Sequence, residues 1–292
     1  LPGMDKDSLA KALEKEFVNV SAAGAEYSEV SILDMVKAVI PTKVNPDGKD
    51  VLSLSEAYYV RLLAAKLGAK VEEGEIPTSE LLAKILACRN GDGGFGWFEG
   101  MHSSPMITAV MMERIAKIRE AGLADAASFG DMKATVKYLD DSQFGVNLPY
   151  WCGWVSTDQY LYVRSLYPSV AFNVKASGDV KVFNKNMADF RKYVRSYLVP
   201  GKVRGLNGYI LGKARRVLTL ENLTASAAGV DLANAWGVRL AADSRMRKSI
   251  EADVVSLKEY AVDHKDGGMY FPNAVMPWSG LLESEEYAHS II

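Results

Sequence analysis

The residues of this chain that could do chemistry are few and scattered. His102, His264 and His289 are its three histidines, and Cys88 and Cys152 its two cysteines. His264 lies in Asp263-His264-Lys265-Asp266, most simply a helix-end cation beside acids, and His102 stands in an irregular stretch before Ser103. No His-x-x-x-His or Cys-x-x-Cys pairing occurs, so the spacing offers no metal site, and no cofactor is expected. Two cysteines in a chain of this size read more simply as buried thiols than as a bridge, although a disulfide stays open. A glycan-cleaving enzyme would need two carboxylates facing each other about 5–9 Å apart. Asp92, Asp141, Asp158, Glu283 and Glu285 stand near loops or helix starts, yet each has a simpler role. Asp92 turns a loop, Asp158 and Glu285 suit helix N-termini, and Glu283 reads as solvent-facing. The pair Asp140-Asp141 is too little for the acidic cluster that protonates an alkene. No catalytic residue is therefore assigned.

The glycine–aromatic segments say more. Asp92-Gly93-Gly94-Phe95-Gly96-Trp97-Phe98 has a counterpart in Asp266-Gly267-Gly268-Met269-Tyr270-Phe271, 174 residues further along, and a degenerate third copy at Asp141-Ser142-Gln143-Phe144-Gly145. The glycines permit positive φ and close backbone approach, and Asp92 can fix the turn. Phe95, Trp97 and Phe98 are expected to plug a seam between helix pairs. A phosphate cradle would need glycines leading from a strand straight into a helix, whereas these follow a helix and precede aromatics. Tyr150, Trp151, Trp154, Tyr270 and Trp278 could join Trp97 and Phe98 in an aromatic mouth suited to contact with another domain. Buried packing would explain the same aromatics.

Helical signals position these segments. An apolar stripe over Val30, Ile32, Met35, Val36, Val39 and Ile40 predicts a helix capped by Ser28 and stopped by Pro41. Ser53 and Glu56 have capping-box spacing for a helix ending at Gly68, and Pro77 introduces another ending near Gly91. Ser104-Pro105 starts a helix running to Gly122. Further helices are expected near 131–139, 157–167, 186–198, 207–220, 226–242 and 244–262, with a last one opening at Ser284. Alternation in Lys175–Val182 suggests a short hairpin. Eleven or so helices with almost no sheet make an all-α chain. With 292 residues, 49% hydrophobic and 24% charged, it can form one large domain. A net charge of −2 gives no field for nucleic acid or an anionic membrane, and no apolar run approaches a bilayer span. Repeated helix pairs must stack to bury their faces, which favours a closed α/α toroid. Residues 1–27 read either as part of that ring or as a connecting arm, and the short last helix suggests a piece of a longer protein.

Arg89-Asn90-Gly91-Asp92-Gly93-Gly94-Phe95-Gly96-Trp97-Phe98, followed by Ser104-Pro105-Met106-Ile107-Thr108-Ala109, resembles the glycine turn and helix of bacterial alpha-2-macroglobulin-like proteins. Gly267-Gly268-Met269-Tyr270, then Trp278 and Glu283-Ser284-Glu285, is similar to a later segment of the same thioester-type domain. Tyr160–Ser165 is similar to a helix lying between them. The resemblance implies an α/α toroid within a secreted, periplasmic or surface-anchored protease trap, contacting proteases and neighbouring domains. Thioester-bearing members carry Cys-x-Glu-Gln. Here Cys88 and Cys152 are followed by Arg89-Asn90-Gly91 and Gly153-Trp154-Val155, and the two glutamines, Gln143 and Gln159, fall elsewhere. The expectation is a non-enzymatic member acting by contact without a thioester. A toroid enzyme acting on glycans and a free-standing binding module are the alternatives.

Overall fold

The computed structural model describes residues 31–72, 74–124, 127–144, 155–176, 178–199, 210–240, 244–265, 268–272, 274, 281–282 and 284–292. Among them are eleven helices and one two-stranded ribbon, so the fold is all-α. The chain divides into two compact units, Leu1–Ile40 and Pro41–Ile292. In the first, α1 (Ile32–Val39) is capped by Ser31, whose hydroxyl accepts from the Asp34 amide. The expected arm at 1–27, and the Ser28 cap, lie outside the described residues.

The second unit carries α2 (Val51–Leu67), α3 (Thr78–Ala87), α4 (Pro105–Glu120), α5 (Lys133–Phe144), α6 (Thr157–Ser165) and α7 (Val180–Leu198). There follow α8 (Ile210–Thr224), α9 (Ala227–Ala235), α10 (Ser244–Glu259) and α11 (Glu285–Ile291), with strands β1 (Val262–Asp263) and β2 (Met269–Tyr270) between the last two helices. Local chemistry sets most boundaries. Ser104 caps α4 with Pro105 at its first position, and Ser156 with Gln159 closes a capping box on α6. Ser284 caps α11. Gly68 ends α2 in the left-handed region at φ 69°.

Three expectations are corrected. The cap of α2 is Asp50, whose carboxylate accepts from the amides of Leu52 and Ser53 and from the Ser53 hydroxyl. An ionised acceptor at a helix start outcompetes a hydroxyl, so the helix opens earlier than the Ser53 box predicted. The expected hairpin at Lys175–Val182 is absent, because Asp179 caps α7 and Val180 and Val182 lie in its first turn. Finally, Asp141 to Phe144 belong to α5, so the third glycine turn does not exist there. Phe144 instead joins an edge-on aromatic cluster with Tyr160, Phe172 and Phe190.

Packing runs through α2 against α3 and α4, and through α4 against α5 and α6. Helix α8 is the centre of the later half, touching α6, α7, α9, α10 and α11. A helix surrounded in this way should be apolar all round, yet α8 buries Lys213, Arg215 and Arg216. Each is satisfied. Arg216 donates from Nε to the Tyr197 carbonyl at 2.5 Å and pairs with Asp253, while Lys213 reaches the Ser256 hydroxyl at 2.6 Å. Arg164 holds Asp140 at 2.9 Å and donates to the carbonyls of Tyr167 and Val170, and Arg61 donates to those of Val44 and Ile76. Buried guanidinium groups here staple loop carbonyls that would otherwise lack donors. No helix of the described residues is long and apolar enough to cross a membrane.

Candidate functional site

The first glycine turn is a braced structure. Asp92 accepts from the Gly94 amide at 2.9 Å and from the Ser103 hydroxyl at 2.7 Å. Asn90 donates to the Met101 carbonyl and to Ser103. Arg89 and Phe95 form an antiparallel bridge, and the Phe95 amide donates to the Thr108 hydroxyl on α4 at 2.9 Å. The glycines are required by proximity: a Cβ on Gly93 would lie 2.4 Å from the Ala134 backbone on α5, and one on Gly94 2.6 Å from Ser103. Gly93 also has φ 91°.

This bracing separates the three aromatics that were expected to act together. Phe95 is fully buried, whereas Trp97 is 38% exposed, Phe98 45% and the following Met101 46%. Phe95 is the plug. Trp97 and Phe98 face solvent from a rigid base, with the Trp97 carbonyl accepting from the Val51 amide at the start of α2. Met101 was missed by sequence reasoning because nothing in its local pattern distinguishes it from a core methionine.

The second turn places Gly268 at φ 85° and pairs Asp263 with Met269 and Val262 with Tyr270. Tyr270 is half-exposed and stands edge-on to His264, with ring centroids 5.8 Å apart. Among the described residues no ring contact joins it to Trp97 or Phe98. Tyr150, Trp151, Trp154 and Trp278, and with them Asp266 and Gly267, lie outside the described residues, as do Cys152 and Glu283. His289 accepts at Nε2 from the Phe271 amide at 3.0 Å, so its Nδ1 carries the proton donated to the Glu285 carbonyl. It ties α11 to the second turn.

The remaining sequence candidates fall to structural duties. Asp158 pairs with buried Arg215 at 2.9 Å, and Asp141 with Lys137 at the surface. Cys88 is a free, buried thiol, raised in pKa by burial, then by Glu99 and Asp50. No cluster of potential metal ligands forms among the described residues.

One cavity holds chemistry that the sequence did not reveal. A pocket of about 540 Å³ lies between α2, α4 and the segment around α11, with Ser55, Tyr59, Glu113, Arg114, Leu282 and Tyr287 in its wall. Glu113 is buried, and both its carboxylate oxygens accept from the Tyr287 hydroxyl, at 2.8 and 3.1 Å. No lysine or arginine of the described residues reaches salt-bridge distance of it. Burial pushes its carboxyl above the ordinary range, against the opposing pull of Tyr287, Arg215, Lys117 and Tyr162. Arg215 lies over the Tyr287 ring, 5.7 Å from its centre, and donates to the Leu282 carbonyl. Glu113 sits mid-helix between buried Met112 and Ile115, so periodicity alone could not tell whether it faced water or a cavity.

No known protein family, curated protein or solved structure matches this chain.

Proposed function

We propose that this chain is a non-enzymatic, protein-contacting domain of the alpha-2-macroglobulin-like kind, its helices closing into an α/α toroid, acting outside the cytoplasm without a thioester. The observation that carries the reading is the braced first turn. It spends Asp92, Asn90, Ser103 and Thr108 on holding a backbone whose outward products are Trp97, Phe98 and Met101. Rigid aromatics offered at low entropy cost are what protein interfaces use as anchors. The absence of Cys-x-Glu-Gln means that any protease would be engaged through contact and entrapment alone.

The test is retention of a protease panel on the immobilised chain, with residual activity measured on large and small substrates and intact masses recorded. Retention, selective loss of activity on large substrates and no covalent adduct are expected. The Trp97→Ala/Phe98→Ala double variant should weaken retention by about 2 kcal/mol or more, as anchor residues do. Failure to retain any protease, or equal retention by the double variant, would overturn the reading.

A further inference from the structure

We infer that the pocket beside Glu113 is a binding site for an alkylammonium group, the chemistry of a lysine side chain presented by a bound polypeptide. It stands independently of the aromatic turn, since neither Trp97 nor Phe98 lines the pocket.

The volume, about 540 Å³, lies within the range of small-molecule sites and exceeds what one side chain needs. Its apolar wall comes from Val110, Leu281, Leu282 and the Tyr59 and Tyr287 rings, which suit a four-carbon stem. Three carboxylates border it: Glu113 in the wall, and Glu56 and Glu286 near the rim, both exposed. The two cations of the lining already have partners. Arg114 donates to the Leu52 carbonyl at 2.7 Å and the Ser55 hydroxyl at 2.6 Å, both on α2. Lys117 pairs with Glu120 at 2.9 Å. An anionic ligand would therefore meet carboxylates before it met an available cation.

Glu113 supplies the specific point. A buried carboxylate is ordinarily paired with a cation or held by several donors. This one is held by the Tyr287 hydroxyl, shared between its two oxygens, with the Tyr162 hydroxyl beside it, which still leaves lone pairs unused. An ammonium group entering from the pocket would complete the carboxylate's hydrogen bonding, and its alkyl stem would displace water from the apolar wall. Acetyl-lysine-methylamide, with its amine free, is the simplest probe of that chemistry.

Calorimetric titration of the whole chain with acetyl-lysine-methylamide, its Nε-acetylated form and acetyl-glutamate-methylamide tests the proposal. Saturable binding of the free amine is expected, with at least tenfold weaker binding of the other two. Glu113→Gln, which can still accept from Tyr287, should weaken the lysine probe about tenfold, the scale of one charge-assisted hydrogen bond. Lys117→Met removes a like charge from an exposed position and should tighten binding two- to fivefold, and it decides the matter if Glu113→Gln misfolds. Preference for the glutamate probe, no saturable binding, or affinity unmoved or weakened in Lys117→Met would overturn the assignment.

Discussion

The two glycine segments share two backbone contacts and have very different surroundings. Arg89 bridges Phe95 as Asp263 pairs with Met269, and the Asn90 amide donates to the Gly94 carbonyl as the His264 amide does to Gly268, at 2.8 and 2.9 Å. These are equivalent positions at the 174-residue offset, whereas the positive φ falls on Gly93 in the first segment and on Gly268, the counterpart of Gly94, in the second. Yet Phe95 is fully buried and Met269 is 71% exposed. The first turn is followed at once by Ser103-Ser104-Pro105, and α4 and α5 close over it. The second is a surface ribbon held at its end by His289. Similar glycine–aromatic segments can thus be built into the core by tertiary neighbours or left at the surface.

The comparison can be sharpened by substitution. Phe95→Ala should lower stability by about 3–5 kcal/mol through loss of a buried aromatic and the cavity left behind. Met269→Ala should stay within about 0.5 kcal/mol. Paired urea midpoints measure both, and similar losses would break the distinction. The glycines give the next largest contrast. Gly93→Ala combines positive φ with a Cβ driven into the Ala134 backbone, and about 3 kcal/mol is expected. Gly268→Ala meets nothing within 4 Å and should cost about 1 kcal/mol, from its φ alone.

A smaller effect separates the buried acids from the braced turn. Burial raises the Glu113 carboxyl in the folded state from its ordinary value of 4.5, so the folded chain holds this proton more tightly than the unfolded one. The contribution to stability is full below 4.5 and is lost as pH rises through the folded value. Asp140, also raised by burial against the pull of Arg164, has the same sign. Thermal midpoints should therefore fall as pH rises from 4.5 towards neutrality. Glu113→Gln should flatten part of that slope and leave the Asp140 part, and an unchanged slope would show that Glu113 does not titrate in this range. Trp97→Ala should shift the midpoint less than Phe95→Ala, because Trp97 is 38% exposed and Phe95 is fully buried.

Sequence reasoning reached the parts governed by neighbours in the chain. Ser104 before Pro105 and Ser284 each marked a helix start, because a capping oxygen needs only the amides two or three residues on. It failed where two local signals competed, as with Asp50 against Ser53, and where alternation at 175–182 concealed the first turn of α7. It could not see that Arg61, Arg164, Arg215 and Arg216 are buried, since an arginine reads as surface until distant carbonyls are brought to it.

By itself the sequence determined an all-α chain, the first glycine turn, several helix caps and the lack of a Cys-x-Glu-Gln motif, all consequences of residue type and short-range spacing. Tertiary structure alone decided that Phe95 is buried while Trp97 and Phe98 are offered outward. It alone set Glu113 on α4 against Tyr287 on α11, 174 residues apart, in the wall of a pocket. Burial and long-range pairing are properties of what the chain folds against, and no local pattern encodes them.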